Sequence, residues 1–268
     1  MTFFQALILG LVQGLTEFLP ISSSGHLVLV QRVFNIDLQG ADMLFDLFLH
    51  LGTLFAVLVC FRRQVLGLFR RPYKKLLWLI FASIPAALVG FLLGDLVERY
   101  LFGGAYLAAG FALTAVLLAA AQVRAKRTAN TLPLKAKNAL FMGVMQAVAV
   151  IPGISRSGAT VAAGIISGAD REEVADFSFL MSIPVIAGGF AVTLIKGIVG
   201  GELSDIFMYA GASFGFCVAI SVFASALAGF AAIKLMLKSI SSARYTPFII
   251  YLILLAILCV VLKMLGVL

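Results

Sequence analysis

Glu17, Ser23 and His26 bring a carboxylate, a hydroxyl and an imidazole close together in the stretch Gly10-Leu-Val-Gln13-Gly-Leu-Thr-Glu17-Phe-Leu-Pro20-Ile-Ser22-Ser23-Ser24-Gly25-His26. Such a set can supply a base, a nucleophile and a proton carrier. A second stretch, Gly143-Val-Met-Gln146-Ala-Val-Ala-Val-Ile-Pro152-Gly-Ile-Ser155-Arg156-Ser157-Gly158-Ala159-Thr160, repeats its frame. Gly10 and Gly143, Gln13 and Gln146, Ser22 and Ser155, Ser24 and Ser157, and Gly25 and Gly158 are each 133 residues apart. The copies differ in their reactive groups, because Glu17, Ser23 and His26 stand opposite Val150, Arg156 and Ala159. Arg156 adds a fixed cation whose planar fork matches phosphate oxygens.

Pro20 and Pro152 are expected to end the incoming helical arms, since proline removes a donor and disfavours helix in the residue before it. Ser22 to Ser24 and Ser155 to Ser157 then fall at the start of the returning arms. Free backbone N–H groups, hydroxyls and the helix dipole make an anion cradle there. Gly25 and Gly158 remove side chains where a ligand or a partner backbone must approach. Gln13 lies one turn before Glu17 and is placed to orient it; Ser23 and His26, three apart, share a helix face. An ionisable group at membrane depth, as Glu17 would be, reads as functional. His50, in Phe48-Leu-His50-Leu, reads instead as packing or an interhelical hydrogen bond, and the run Asp170, Glu172, Glu173, Asp176 as a helix start.

The elements that must position these groups are membrane helices. The 268 residues are 62% hydrophobic and 12% charged, with a mean hydropathy of +1.12, against roughly 25% charged residues in soluble domains. A single all-α polytopic membrane domain, 1–268, is expected. Six apolar runs suit a bilayer of roughly 30 Å: 44–61, 76–94, 104–123, 174–195, 206–233 and 246–266. Segments 3–34 and 136–168 each hold two apolar arms of half that length around a Pro/Ser/Gly break, which predicts re-entrant hairpins with tips buried in protein or lining water. No cleavable signal is expected, because the first apolar stretch has no basic flank. Cys60, Cys217 and Cys259 lie singly in apolar runs and read as structural thiols.

Of the 20 basic residues, 14 lie in 62–75, 124–137 and 234–244, which makes those loops cytoplasmic. The net charge of +8 is thereby explained by topology and anionic lipid rather than by nucleic acid. The first hairpin then enters from the outer face and the second from the cytoplasmic face, giving inverted repeats of about 1–123 and 136–268 whose tips meet near the membrane centre. A fainter echo, Phe81-Ala-Ser83 and Phe223-Ala-Ser225, follows downstream.

Together, Gln13 to His26 and Pro152 to Thr160 resemble the two signature motifs of the bacterial undecaprenyl-diphosphate phosphatases, the bacitracin-resistance family, over essentially the whole chain. The resemblance implies hydrolysis of the polyprenyl diphosphate carrier to its monophosphate, recycling the lipid for peptidoglycan synthesis. It places the chain in the bacterial inner membrane with the site opening to the outer face. Glu17, Ser23, His26 and Arg156 are the implied catalytic group; Gln13, Ser22, Ser24, Gly25, Ser155, Ser157, Gly158 and Thr160 are the implied substrate-binding group. The family's first acidic position takes Glu or Gln, and Gln13 here leaves Glu17 as the single carboxylate. That suits Mg²⁺ or Ca²⁺ held by Glu17 and bridged by the diphosphate. Ser23 is the first choice of nucleophile with His26 as base or acid; His26 or water attacking directly stays open. Expected partners are the lipid substrate, membrane lipids and a second copy of the chain in a homodimer. Ser24-Gly25-His26 also resembles the central motif of phosphatidic-acid-type phosphatases, but Ala162 stands where their second histidine belongs. The alternative class is a lipid-phosphate or anion transporter with the same inverted repeats.

Overall fold

The computed structural model describes the chain apart from residues 37–41, 102–103, 105, 128–131 and 200–201. The described residues form helices α1 (Phe3–Phe18), α2 (Ser23–Val33), α3 (Asp42–Cys60), α4 (Arg62–Leu68), α5 (Lys74–Leu101), α6 (Leu107–Arg127), α7 (Ala136–Val148), α8 (Arg156–Ile166), α9 (Arg171–Val199), α10 (Glu202–Ser241) and α11 (Thr246–Met264). An isolated bridge between Leu132 and Ala169 is the sole extended pairing among them.

Each of the six expected spans falls on a helix: α3, α5, α6, α9, α10 and α11. Lys74–Gly94, Leu107–Arg127, Arg171–Val199, Phe214–Ser241 and Thr246–Met264 are each long and apolar enough to cross a membrane, and α3 makes a sixth when joined to α4. Segment 62–75, taken from the sequence as a loop, in fact contains α4, bent 81° from α3. Large apolar side chains such as Phe91, Leu92 and Met264 lie bare on the outside, as lipid-facing surface requires. These observations make the chain a multi-pass membrane protein.

The two motif segments are broken helix pairs. The arms α1, α2, α7 and α8 hold 16, 11, 13 and 11 residues, each shorter than the roughly 20 needed to span. The helices α2 and α8 start at Ser23 and Arg156, the same point of the repeat. Each has its serine cap: Ser22 Oγ accepts from Gly25 N at 3.4 Å, and Ser155 Oγ from Gly158 N at 3.1 Å. Such a cap satisfies one of the N–H groups left over at a helix start. The incoming arms differ. The first stays helical to Phe18 and so carries Glu17 in its last turn, whereas the second unwinds after Val148. The chain turns at Ser22 (φ 71°) in one break and at Gly153 (φ 88°) in the other.

Small residues let these arms approach the long helices. The arm α1 packs on α10 and α7 packs on α5, while α6 supports α8 and α11. A Cβ on Gly10 would strike the Ser221 carbonyl and meet Ala224; one on Gly143 would strike the Ala82 carbonyl. Those alanines belong to the two Phe-Ala-Ser triplets, so the faint downstream echo marks where each arm is seated. Gly143→Val should therefore cost about 2–3 kcal/mol by overpacking against a backbone that cannot retreat. Gly90→Ala, with nothing within 4 Å of the added methyl, should be neutral or mildly stabilising. Thermal unfolding midpoints in detergent compare the two variants, and equal midpoints would refute the tight seat.

Candidate active site

Glu17 is where the elements converge. Its side chain is only 6% exposed, so its charge needs partners inside the protein. Arg156, the first residue of α8, donates from Nη2 to Oε1 at 2.6 Å. Ser23, the first residue of α2, donates from Oγ to Oε2 at 2.6 Å. Gln13, one turn back on α1, donates from Nε2 to Oε2 at 3.2 Å. His50 on α3 brings Nε2 to 3.6 Å from Oε2, and its Nδ1 donates to the Asp46 carbonyl at 2.7 Å. One carboxylate thus ties together both breaks and α3.

His26 faces elsewhere. Its Nδ1 lies 2.7 Å from the Ser22 carbonyl and its Nε2 2.7 Å from the Tyr251 hydroxyl. The edge of Phe111 covers it, with ring centroids 5.6 Å apart at 70°. The face shared by Ser23 and His26 therefore does not join them: the Ser23 hydroxyl is given to Glu17, and the imidazole is held by Ser22 and Tyr251.

The remaining expected site residues build the tips. Ser22 and Ser24 hydroxyls lie 3.4 Å apart, and their repeat partners Ser155 and Ser157 lie 3.2 Å apart. Ser157 Oγ donates to the Leu19 carbonyl at 2.9 Å, closing the second tip on the first. Ser155 N donates to Thr114 Oγ1 at 3.0 Å. Thr160 Oγ1 donates to the Arg156 carbonyl at 2.9 Å and lies 2.7 Å from Ser178 Oγ. A Cβ on Gly25 would meet Phe111 and Gly153, and one on Gly158 would meet Thr114 and Ser155. Gly25 is thus approached by α6 and by the backbone of the second break, and Gly158 by α6 and by its own helix cap. Among the described residues, the buried amide of Gln146 has no partner on either atom. The reason lies in the sequence: Val150 stands where Glu17 receives Gln13 in the first copy.

Two members of the cluster are less visible in the sequence. The sequence suggests packing or an interhelical hydrogen bond for His50. Its neighbour across the helices is Glu17, so an ionisable side chain within an apolar span was signal enough to include it. Tyr251 offers no such signal, because a tyrosine near the start of a membrane helix is ordinary.

The acidic run is the helix start expected of it. Asp170 Oδ1 accepts from the N–H of Glu172 at 3.0 Å and of Glu173 at 3.2 Å, and Glu173 Oε2 accepts from Leu134 N at 2.6 Å. A protein cage for Mg²⁺ or Ca²⁺ does not fit the groups around Glu17. Its partners are a guanidinium, a hydroxyl and an amide N–H, all donors. Among the described residues no three His, Cys, Asp or Glu side chains gather as a ligand set, so an ion bound together with the diphosphate would rest on Glu17 and on the unpartnered Oε1 of Gln13. No step below passes through a metal.

The geometry can be set beside known proteins. The family model described as "Bacitracin resistance protein BacA" matches residues 6–258. Three relatives named undecaprenyl-diphosphatase come from Carboxydothermus hydrogenoformans (40% identical over 99% of both chains), Methanobrevibacter smithii (39% over 94% of both) and Thermodesulfovibrio yellowstonii (36% over 92% of both). With a match running from α1 into α11 and identity of this order end to end, the chain belongs to the bacitracin resistance protein BacA family.

Proposed function

We propose that this protein is an integral-membrane phosphatase that hydrolyses undecaprenyl diphosphate to undecaprenyl phosphate and phosphate. The reaction returns the carrier lipid to peptidoglycan synthesis and confers resistance to bacitracin. The observation that carries the mechanism is the bond from Ser23 Oγ to Glu17 Oε2 at 2.6 Å, beside Arg156 on the other carboxylate oxygen at 2.6 Å. A hydroxyl donating to a carboxylate stands where that carboxylate can take its proton as it attacks.

Ser23 Oγ attacks the terminal phosphorus, its proton passes to Glu17, and the bond from that phosphorus to the bridging oxygen breaks. The electron pair leaves on undecaprenyl monophosphate, and the phosphoryl group stays on Ser23. Water then attacks the phosphoserine and the bond from phosphorus to the Ser23 oxygen breaks. Glu17 returns its proton to that oxygen, takes one from the attacking water and passes it to solvent as phosphate leaves, which restores the carboxylate. Arg156 and the N–H groups opening α2 and α8 hold the oxygens on which charge grows. His50 adds a nitrogen beside Glu17. Incubated in detergent with a long-chain prenyl diphosphate, the purified protein should release one phosphate per lipid. Movement of the lipid or of an anion across a vesicle membrane without phosphate release would replace the enzyme reading by a transporter.

We read α1–α2 and α7–α8 as re-entrant hairpins of an inverted repeat, in the bacterial inner membrane, with the first opening to the outer face. Matched serine caps and matched glycine seats support the repeat, and the basic loops support the sidedness. Impermeant thiol reagents test it in cells with a permeabilised outer membrane and the native cysteines replaced. A cysteine at Asp42 or at exposed Asn35 should be labelled, and one at Arg63 or Lys126 should not. Asp37, an equivalent outer position by sequence, lies outside the described residues. The reverse labelling pattern would invert the protein and move the site to the cytoplasm.

A further inference from the structure

Tyr251 reaches the site from α11, 225 residues along the chain from His26. Its ring stacks on the imidazole with centroids 5.7 Å apart and planes 9° from parallel, and its hydroxyl lies 2.7 Å from Nε2. On the opposite side of the ring, Nδ1 lies 2.7 Å from the Ser22 carbonyl. A carbonyl oxygen can only accept, so Nδ1 carries a hydrogen, and an uncharged ring accepts the tyrosine proton at Nε2. The bonds therefore run in one direction, from Tyr251 through His26 to Ser22.

They end on an unusual residue. Ser22 has φ 71° and ψ 104°, a region in which a residue with a Cβ is held only when its surroundings over-determine it. His26 supplies two of those constraints on one atom, since its backbone N–H also donates to the Ser22 carbonyl at 3.3 Å. The residue that follows the turn is Ser23, whose hydroxyl must point at Glu17.

We propose that Tyr251 is a positioning residue for the nucleophile: its hydroxyl keeps His26 in the Nδ1–H tautomer, and that tautomer fixes the left-handed Ser22 turn from which Ser23 is presented to Glu17. The inference rests on the phosphatase reading above. It gives the last helix a part in catalysis without contact with the reacting phosphate. It also accounts for His26, whose two nitrogens are both engaged away from Ser23. A purely packing role would ask only for the ring, which phenylalanine also provides.

Tyr251→Phe separates these roles, because it keeps the stacked ring and removes one oxygen. The chain has two histidines, so ¹⁵N-histidine labelling gives few ring signals, and those lost in His26→Gln identify His26. In the wild type, Nδ1 should resonate as a protonated nitrogen and Nε2 as a hydrogen-bonded acceptor. In Tyr251→Phe the Nε2 signal should move, kcat should fall about tenfold and KM should stay unchanged, as loss of one positioning hydrogen bond implies. An unchanged Nε2 signal overturns the proposal, and so does a moved signal with wild-type kcat. If the wild type releases no phosphate while both nitrogens resonate as assigned, the phosphatase reading fails and takes the positioning role with it, leaving the tautomer standing.

Discussion

Replacing Ser23 by alanine should lower kcat by about 10³-fold or more, with prenyl diphosphate still bound, since the nucleophile is lost while the phosphate-holding groups remain. Glu17→Gln should give a loss of similar size, because the amide cannot take the Ser23 proton. The double variant should be little worse than either alone, as groups acting as one unit behave. The geometry behind this is the bond of 2.6 Å from Ser23 Oγ to Glu17 Oε2, with Gln13 and Arg156 left to hold the carboxylate in the Ser23→Ala protein. Rapid quenching with substrate labelled at the terminal phosphate provides the decisive measurement. The label should sit on Ser23 in the wild type and be absent from Ser23→Ala. Label on His26 would transfer the nucleophile there and require the ring to leave Tyr251 first. A catalytically competent enzyme with no label at all would favour direct attack by water.

Much of the frame was legible because membrane constraints are severe. A backbone in lipid must satisfy its own hydrogen bonds, so six apolar runs could only be helices, and two short-armed segments could only be broken ones. Serines after each proline announced the starts of α2 and α8, because caps are local chemistry. The pairing of Gln13 with Glu17 was legible for the same reason, one turn being a fixed distance. Less legible was whatever depends on how helices far apart in sequence cross. Ser23 and His26 share a face by spacing, yet which partner each takes is decided by α8 and α11, and spacing on α2 carries no information about either. His50 looked isolated because its neighbour in space, Glu17, lies on another helix. Likewise, Gly25 and Gly158 announce the approach of a ligand or of a partner backbone, and the fold brings the Gly153 backbone and Phe111 to the first and Thr114 to the second. A glycine signals close approach without saying of what.

Arg156→Lys is the more exacting test of how charge is handled. Among the described residues, Arg156 is the one group from the second repeat on the Glu17 carboxylate, with its side chain 14% exposed and Nη2 2.6 Å from Oε1. Removing it outright by Arg156→Ala would leave a buried carboxylate unpaired and cost about 3–5 kcal/mol of stability, so lost activity there would mean little. Lysine keeps the positive charge near Glu17 and should leave the unfolding midpoint close to that of the wild type. It replaces a planar five-donor fork by a point charge that cannot grip Glu17 and a phosphate oxygen at once. Turnover should therefore fall about 10²- to 10³-fold, the scale seen when one preorganised donor to a developing oxyanion is removed. The loss should appear mainly in kcat, because charge on the transferring phosphoryl oxygens grows towards the transition state. Near-normal kcat with a normal midpoint would reduce Arg156 to a counter-ion for Glu17, and the second repeat would then contribute scaffold rather than chemistry.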